Sequence, residues 1–526
     1  MNNVTINLTG DDVVLRSNNG HAPFHWTGGS IIGIIKNDMK LAAFNDNGHV
    51  LKIYYINGQT FIDTDVNLDD NTNDFNRIKM SRELVTISPG VVIGSSQGKG
   101  LAMGSNSSAT SVNDSGYINK GSLNITGGNI NTTAGLNTSY GFMDNQGMVY
   151  LDSGIGLYGV NGSKFLNNTN GTIYTTGQGV GMAAFASATS GLQDYGTDKK
   201  IKNSALGLPN GLTASDKVLD MENKGIIEID GAQSVGIFGQ TNEVAATRRT
   251  PATPAGLLTA QNGLITNTGR IIMNGDESVG ILAKRVTVNL GGTGSSDIIV
   301  GNKGIGVYTE KTPVNIVSAT GIEVKDKGVG VFVKNDGSTI SGSPLEIKYT
   351  GAANESAAGI FYEGGTNHTN TVDVNMVNRT SDNGIVGIFI NNSGTLTNNA
   401  TIKDLSGKGY GIYSQGGDVV NNGTLVMGEA GKGILSTGGN VTLAPGSTIT
   451  LGQNNAIGVY ALGSGSTVTA QNGANMTIGD GSYGFVNKGN GNTITSNVAS
   501  QSLPTNAVYV LSLIHISEPT RRTPIS

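Results

Sequence analysis

The chain contains no cysteine in 526 residues. That excludes disulfides, a thiol nucleophile and cysteine-ligated zinc. Secreted proteins of this size often carry disulfides, so stability is expected to come from stacking instead. The absence also suits a chain that crosses a membrane unfolded. Charge is scarce as well. Charged residues make up 13 % of the sequence, the formal net charge is −5, and no basic stripe is present. Nucleic-acid binding therefore has no electrostatic support. No apolar run reaches the roughly 18 residues that a membrane-spanning helix needs. Helical periodicity is almost missing. No basic, apolar and small-residue leader opens the chain; Met1-Asn2-Asn3-Val4 runs straight into strand-like sequence. The chain is expected to begin inside a larger protein.

Histidine is rare too, at five residues. His21 and His25 have metal-like i, i+4 spacing, but that spacing needs a helix, and a proline lies between them. His49, His368 and His515 stand alone. Gly407-Lys408-Gly409-Tyr410-Gly411 resembles part of a phosphate loop, yet no helix follows to supply amide donors. Gly98-Lys99 lacks the P-loop spacing. Gly291-Gly292-Thr293-Gly294 slightly resembles a calcium-binding nonapeptide but does not recur. Ser234 and Ser278 read as repeat positions, not nucleophile elbows. Glu228, Asp230, Asp276, Glu277, Glu323 and Asp326 are scattered acids that read as solvated turns; Asp276 and Glu277 are expected on opposite faces of a strand. A glycan-degrading site would need carboxylates clustered on one face. The chain is therefore read as a non-enzyme, with no catalytic, cofactor-binding or metal-binding residue and no cofactor.

Glycine is what the sequence has in excess, at 80 residues, near twice the average share of about 7 %. Its placement is regular. A box reading apolar–Gly–Ile/Val–Tyr/Phe is centred on Gly156, Gly181, Gly236, Gly280, Gly306, Gly330, Gly359, Gly387, Gly411, Gly433, Gly458 and Gly484. The step is about 25 residues, and two intervals are about twice as long. A disordered chain has no reason to space apolar residues in this way.

β-Branched and aromatic residues after the glycine mark a strand. The period-2 rule predicts that the apolar residue before the glycine and the Ile/Val after it point inward together, with glycine and aromatic on the other face unless the chain bends. A second box precedes the first: Asn-x-Gly followed by alternating apolar residues. Copies are Asn119-Lys120-Gly121, Asn145-Gln146-Gly147, Asn223-Lys224-Gly225, Asn267-Thr268-Gly269 and Asn421-Asn422-Gly423. Asn and Gly supply left-handed angles, so the tripeptide reads as a turn and the alternation as a second strand. One unit is then turn, strand, turn, strand, with room for a third short strand.

The reading is all-β: a right-handed parallel β-helix (solenoid) with coils of about 25 residues. Ile/Val ladders are expected to fill the bore, with Asn and aromatic ladders stacked alongside. Length alone gives roughly 20 coils. Residues 1–115 read as irregular early β-helix coils, with a hairpin over Leu51–Ile62 turning at Asn57-Gly58. Residues 116–510 read as regular repeats with insertions near 187–218 and 240–262. Such insertions map to one face of a solenoid, either as binding loops or as tolerated surface loops. Residues 511–526 resemble a translated sequencing-library adapter and are set aside as non-native.

Two stretches carry a family resemblance. Residues 223–238, Asn-Lys-Gly-x-Ile-x-Ile-x-Gly-x-x-Ser-x-Gly-Ile-Phe, and residues 267–282, Asn-Thr-Gly-Arg-Ile-x-Met-x-Gly-Asp-x-Ser-Val-Gly-Ile-Leu, resemble passenger repeats of large autotransporters. The closest likeness is to the fusobacterial kind of type V secreted outer-membrane protein, over roughly residues 116–510. That resemblance implies a signal peptide, a β-helical passenger and a C-terminal barrel in the outer membrane. It implies a cell-surface adhesin: a rigid stalk presenting binding loops to host or bacterial surface proteins or glycans. Contact through Asn, Tyr and loop residues is the expected mechanism, and a monomer is expected. The alternatives are a β-helical polysaccharide-degrading enzyme and a purely structural spacer.

Overall fold

The structure is a computed structural model. It describes residues 42–44, 50–56, 59–62, 65–69, 84–103, 116–139, 142–160, 163–186, 219–241, 263–334, 338–352, 356–377, 385–391, 394–498 and 503–512. Among these residues every regular element is a strand. They build a parallel β-helix of about 13 turns of roughly 26 residues. Dividing the whole length by the repeat step gives a larger number, because that division also counts the residues outside the described ones. The turns fall into two units, residues 1–289 and 290–526.

Each regular turn carries three strands. In the first unit a typical turn is Gly263–Asn267, Arg270–Met273 and Val279–Lys284. We call these the asparagine strand, the middle strand and the glycine-box strand. The sequence signals mark the second and third. The asparagine strand is the third one for which the spacing left room.

Successive turns pair in parallel and in register. In the first unit Asn145 faces Asn167, Ile227 faces Ile271 and Ile237 faces Ile281. Within the second unit Val307, Val331, Ile360, Ile388, Ile412, Ile434 and Val459 form one file. All of these aliphatic residues are buried. Each such side chain contributes about 1.5–3 kcal/mol on leaving water, and it does so only against the turns above and below. That nearest-neighbour dependence is why a sequence repeat becomes a solenoid.

The face assignment of the glycine box differs from the expectation. The residue before the glycine, such as Val279, Ile305 or Val329, is half-exposed, whereas the glycine and the Ile/Val after it are both buried. The chain bends at the glycine, so two consecutive residues face the bore. The cause is space. A Cβ on Gly306 would lie 2.5 Å from the carbonyl oxygen of Gly330 and 2.6 Å from Cγ2 of Ile322 on the opposite wall. Only glycine fits where the middle strand presses across the bore.

The Asn-x-Gly corner also has a different cause from the one expected. None of its asparagines or glycines takes a left-handed angle. The glycine allows close stacking instead: a Cβ on Gly269 would meet the carbonyl oxygen of Gly225 at 2.2 Å. The asparagine ends its strand with its side chain inside.

Before the first full turn, Val50–Ile56 and Gln59–Ile62 pair antiparallel, as a hairpin requires; its expected turn residues, Asn57-Gly58, lie outside the described residues. Leu84–Ile87, Val92–Ser95 and Leu101–Met103 already form a three-strand turn that pairs with its successor. At the other end the strand Val508–Ser512 pairs Leu511 with Val486. It includes the first two of the residues set aside as adapter-like, and residues 513–526 lie outside the described residues.

Candidate functional site

Three features of the walls decide what the surface can present. The first is an amide ladder. In the first unit Asn119, Asn145, Asn167, Asn223 and Asn267 are stacked; each Nδ2 donates to the Oδ1 of the next at 2.8 Å. In the second unit Asn370, Asn398 and Asn421 repeat this at 2.8 Å. All eight are fully buried. These asparagines therefore cannot contact a partner, and the contact role expected for asparagine does not fall on them. Their work is to satisfy the backbone at the corner: Asn167 Nδ2 also donates to the carbonyl oxygen of Ile226 at 3.2 Å. The first-unit ladder starts at Asn119, whose Oδ1 faces the turn of Ile87 and has no hydrogen-bond partner; from there on, a buried amide with its bonds made fixes the corner geometry.

The second feature is where chain can be added. The asparagine corner is kept short by the ladder. In the first unit the long interruptions fall at one other corner, between a glycine-box strand and the next asparagine strand. The chain leaves there after Ala186 and returns at Leu219; one turn later it leaves after Thr241 and returns at Gly263. Ala186 is in register with Thr241, and Leu219 with Gly263. Both departure points and both return points are thus stacked one strand spacing apart, about 4.8 Å. The strand reaches Thr241, so Gln240 and Thr241 belong to the wall. Residues 187–218 and 242–262 lie outside the described residues.

The third feature is an aromatic column on the outer face of the glycine-box sheet in the second unit. Tyr308, Phe332, Phe361, Phe389 and Tyr413 are half-exposed and in register. Ring centroids are 5.2, 4.8, 4.8 and 5.0 Å apart. Tyr308 and Phe332 are nearly parallel, at 11°, so those rings turn faces to each other. Lys432 sits over the Tyr410 ring at 4.9 Å. Burial first, then the carboxylates of Glu310 and Glu363, push the Tyr308 hydroxyl pKa up.

The acids singled out in the sequence separate into distinct settings. In the first unit Asn274 Nδ2 donates to Glu228 Oε1 at 3.2 Å and to Asp230 Oδ1 at 2.7 Å. The Tyr174 hydroxyl donates to Asp230 at 2.7 Å, which raises its pKa to about 12. Asp276 and Glu277 do not lie on a strand; they form a corner in which Glu277 has a left-handed φ of 56°. In the second unit Glu323 accepts from Ser296, Lys348 and Thr350 at 2.8, 3.1 and 3.0 Å. Asp326 accepts from the Tyr349 hydroxyl at 2.8 Å and from the amide of Ala352.

The remaining motifs resolve into corner chemistry. The amides of Thr293, Gly294 and Gly321 all point at the buried Asp297 carboxylate, at 3.0, 3.2 and 2.8 Å. The glycine-rich loop therefore offers donors, whereas calcium requires oxygens. Ser234 and Ser278 are buried staples: Ser234 Oγ accepts the amide of Gly179, and Ser278 Oγ that of Ser234. Lys408 occupies a left-handed corner, and a strand, Tyr410–Gln415, follows it. Gly98 also turns a corner with positive φ. His368 is buried, bonded to the carbonyl oxygen of Gly364 at 2.6 Å and packed on Tyr362. His21, His25, His49 and His515 lie outside the described residues. Among the described residues no three His, Asp or Glu converge.

Comparison of the chain with known protein families, with curated proteins and with solved structures finds no match.

Proposed function

We propose that the chain is the passenger of an autotransporter-type adhesin on a bacterial outer membrane. Its β-helix acts as a stiff stalk, and the interruptions of the first unit serve as contact elements for a host or bacterial surface protein or glycan. One observation carries this reading. The two long interruptions depart and return at stacked positions, Ala186 with Thr241 and Leu219 with Gly263. Chain added at a single corner on neighbouring turns is concentrated where one partner can meet both pieces, and loops on one face of a solenoid are commonly the binding face. The buried amide ladder supports the stalk role, because its asparagine-to-asparagine bonds hold adjoining corners rigid without using surface residues.

The test is adhesion of the purified full chain to host cells and to partner bacteria. Removing residues 187–218 and 242–262 and joining the strand ends through short Gly-Ser links should abolish adhesion. The melting temperature should stay within a few degrees, since no wall strand is touched. Undiminished adhesion after both removals defeats the loop assignment. No adhesion by the intact chain to any surface defeats the adhesin reading.

A polysaccharide-degrading enzyme is a second reading, favoured by Glu228 and Asp230 sharing the one amide of Asn274 on an outer wall. Glycoside hydrolysis requires two such neighbouring carboxylates. Release of reducing ends from a polysaccharide, lost in Glu228→Gln, would establish it.

A further inference from the structure

Among the described residues, three buried polar atoms of a single turn, residues 116–139, lack a hydrogen-bond partner: Tyr117 Oη, Asn119 Oδ1 and Thr138 Oγ1. Tyr117 and Asn119 are wholly buried, and Thr138 is 1 % exposed. The preceding turn, residues 84–103, sets an apolar residue in register with each of them. Val85 pairs with Tyr117, Ile87 with Asn119 and Met103 with Thr138. Valine and isoleucine have no polar group to offer, and methionine has only a weak acceptor. Toward the following turn the same asparagine is well held: Asn119 Nδ2 donates to Asn145 Oδ1 at 2.8 Å and to the carbonyl oxygen of Met148 at 3.1 Å. A ladder can also begin without such a defect. Asn370 Oδ1, at the start of the second-unit ladder, accepts the amide of Val372 at 3.2 Å.

We propose that the interface between residues 84–103 and residues 116–139 is a joint, at which the earlier turn separates from the stalk as a unit while the later turns stay stacked. Backbone bonds hold it closed, among them Lys120 N to Ile87 O at 3.0 Å and Ser122 N to Val91 O at 2.8 Å. Against them stand three polar groups that lost their hydration on burial and gained no bond in return. Opening this one interface admits water to all three at once. Interfaces further along, where Asn145 bonds Asn167 and Asn167 bonds Asn223, would instead lose an amide bond on opening. Each turn depends only on its neighbours, so the joint opens without unravelling the rest. The joint is a property of the fold and stands apart from the adhesin reading.

Native-state hydrogen exchange of the full chain, read by mass spectrometry, tests it. Peptides within residues 84–103 should exchange together, at least about tenfold faster than peptides within residues 122–139, with a step between the two turns. Tyr117→Phe and Thr138→Val each remove an unpaired hydroxyl while keeping the side chain's shape. Each should slow exchange in residues 84–103 about fivefold or more and leave residues 263–290 unchanged. Circular dichroism reports whether each variant stays folded; if one does not, the other decides. Equal exchange in the two turns overturns the proposal. So does a folded Tyr117→Phe or Thr138→Val whose residues 84–103 exchange as fast as before or faster, the result expected if buried water already satisfies the hydroxyl.

Discussion

The side-chain amide of Asn145 donates to the side-chain oxygen of Asn167 at 2.8 Å, and both residues are fully buried. Neither could be satisfied alone at that depth. Each asparagine answers the next turn's need, so a change at one rung is felt at two.

Asn167→Ala should destabilise the first unit by about 2–4 kcal/mol. It strands the donor of Asn145 and the acceptor of Asn223, and buried groups left unpaired cost about 1–3 kcal/mol each. Denaturant unfolding measures the total. Native-state hydrogen exchange should place the loss in the turns next to residue 167 and spare those further off, as nearest-neighbour stability demands.

Gly330→Ala should cost more than about 3 kcal/mol. Its Cβ would fall 2.6 Å from the carbonyl oxygen of Gly359 and 2.6 Å from Cδ1 of Ile347. Ile347→Ala in the same chain should rescue only part, since the backbone oxygen cannot give way. Gly438→Ala is the control. Its new atom meets nothing nearer than 3.4 Å, and thermal melting should shift by less than about 0.5 kcal/mol.

Ala430→Gly should stabilise the chain by about 0.5–1 kcal/mol. Ala430 holds a left-handed φ of 54° at a corner, a conformation that penalises a Cβ. Glycine removes that penalty at some entropic cost. A rise in the denaturation midpoint with an unchanged slope is the expected outcome.

Two carboxyls should give opposite pH signatures. Burial pushes the Asp144 pKa above its ordinary value, against the opposing effect of its hydrogen bonds from Gln146 and Asn168. The folded state then holds the proton more tightly, so stability falls as pH rises from the unfolded value near 3.8 to the higher folded one. Asp144→Asn should therefore flatten that decline and be the more stable chain at pH 7. Burial also pushes Glu323 up, but bonds from Ser296, Lys348 and Thr350, with the charge of Lys348, outweigh it and leave its pKa lowered. Its contribution is present above the unfolded value near 4.5 and is lost as pH falls through the lower folded one. Glu323→Gln should remove that acid-side loss. Urea unfolding across pH 3–8 measures both.

The repeat, the all-β class and the stacking of Ile237 on Ile281 or Val307 on Val331 could be read from the sequence alone, because a column of identical environments selects the same residue type at each step. The asparagine and aromatic ladders were legible for the same reason. Which way residues face at the glycine was not. Alternation predicts an inward Val329 and an outward Gly330. The structure reverses this because Ile347 reaches across the bore, and a contact between two walls leaves no mark within either strand. Likewise Asn-x-Gly announces a corner, but only the stacked turns reveal that its glycine yields to a neighbouring carbonyl rather than to a left-handed angle. The settings of the acids were hidden as well: Glu228 and Asp230 meet Asn274 only when residues 46 and 44 positions apart are brought together. Periodicity along the chain determined that the turns stack; distances between the walls decided which residues the stack buries and which it presents.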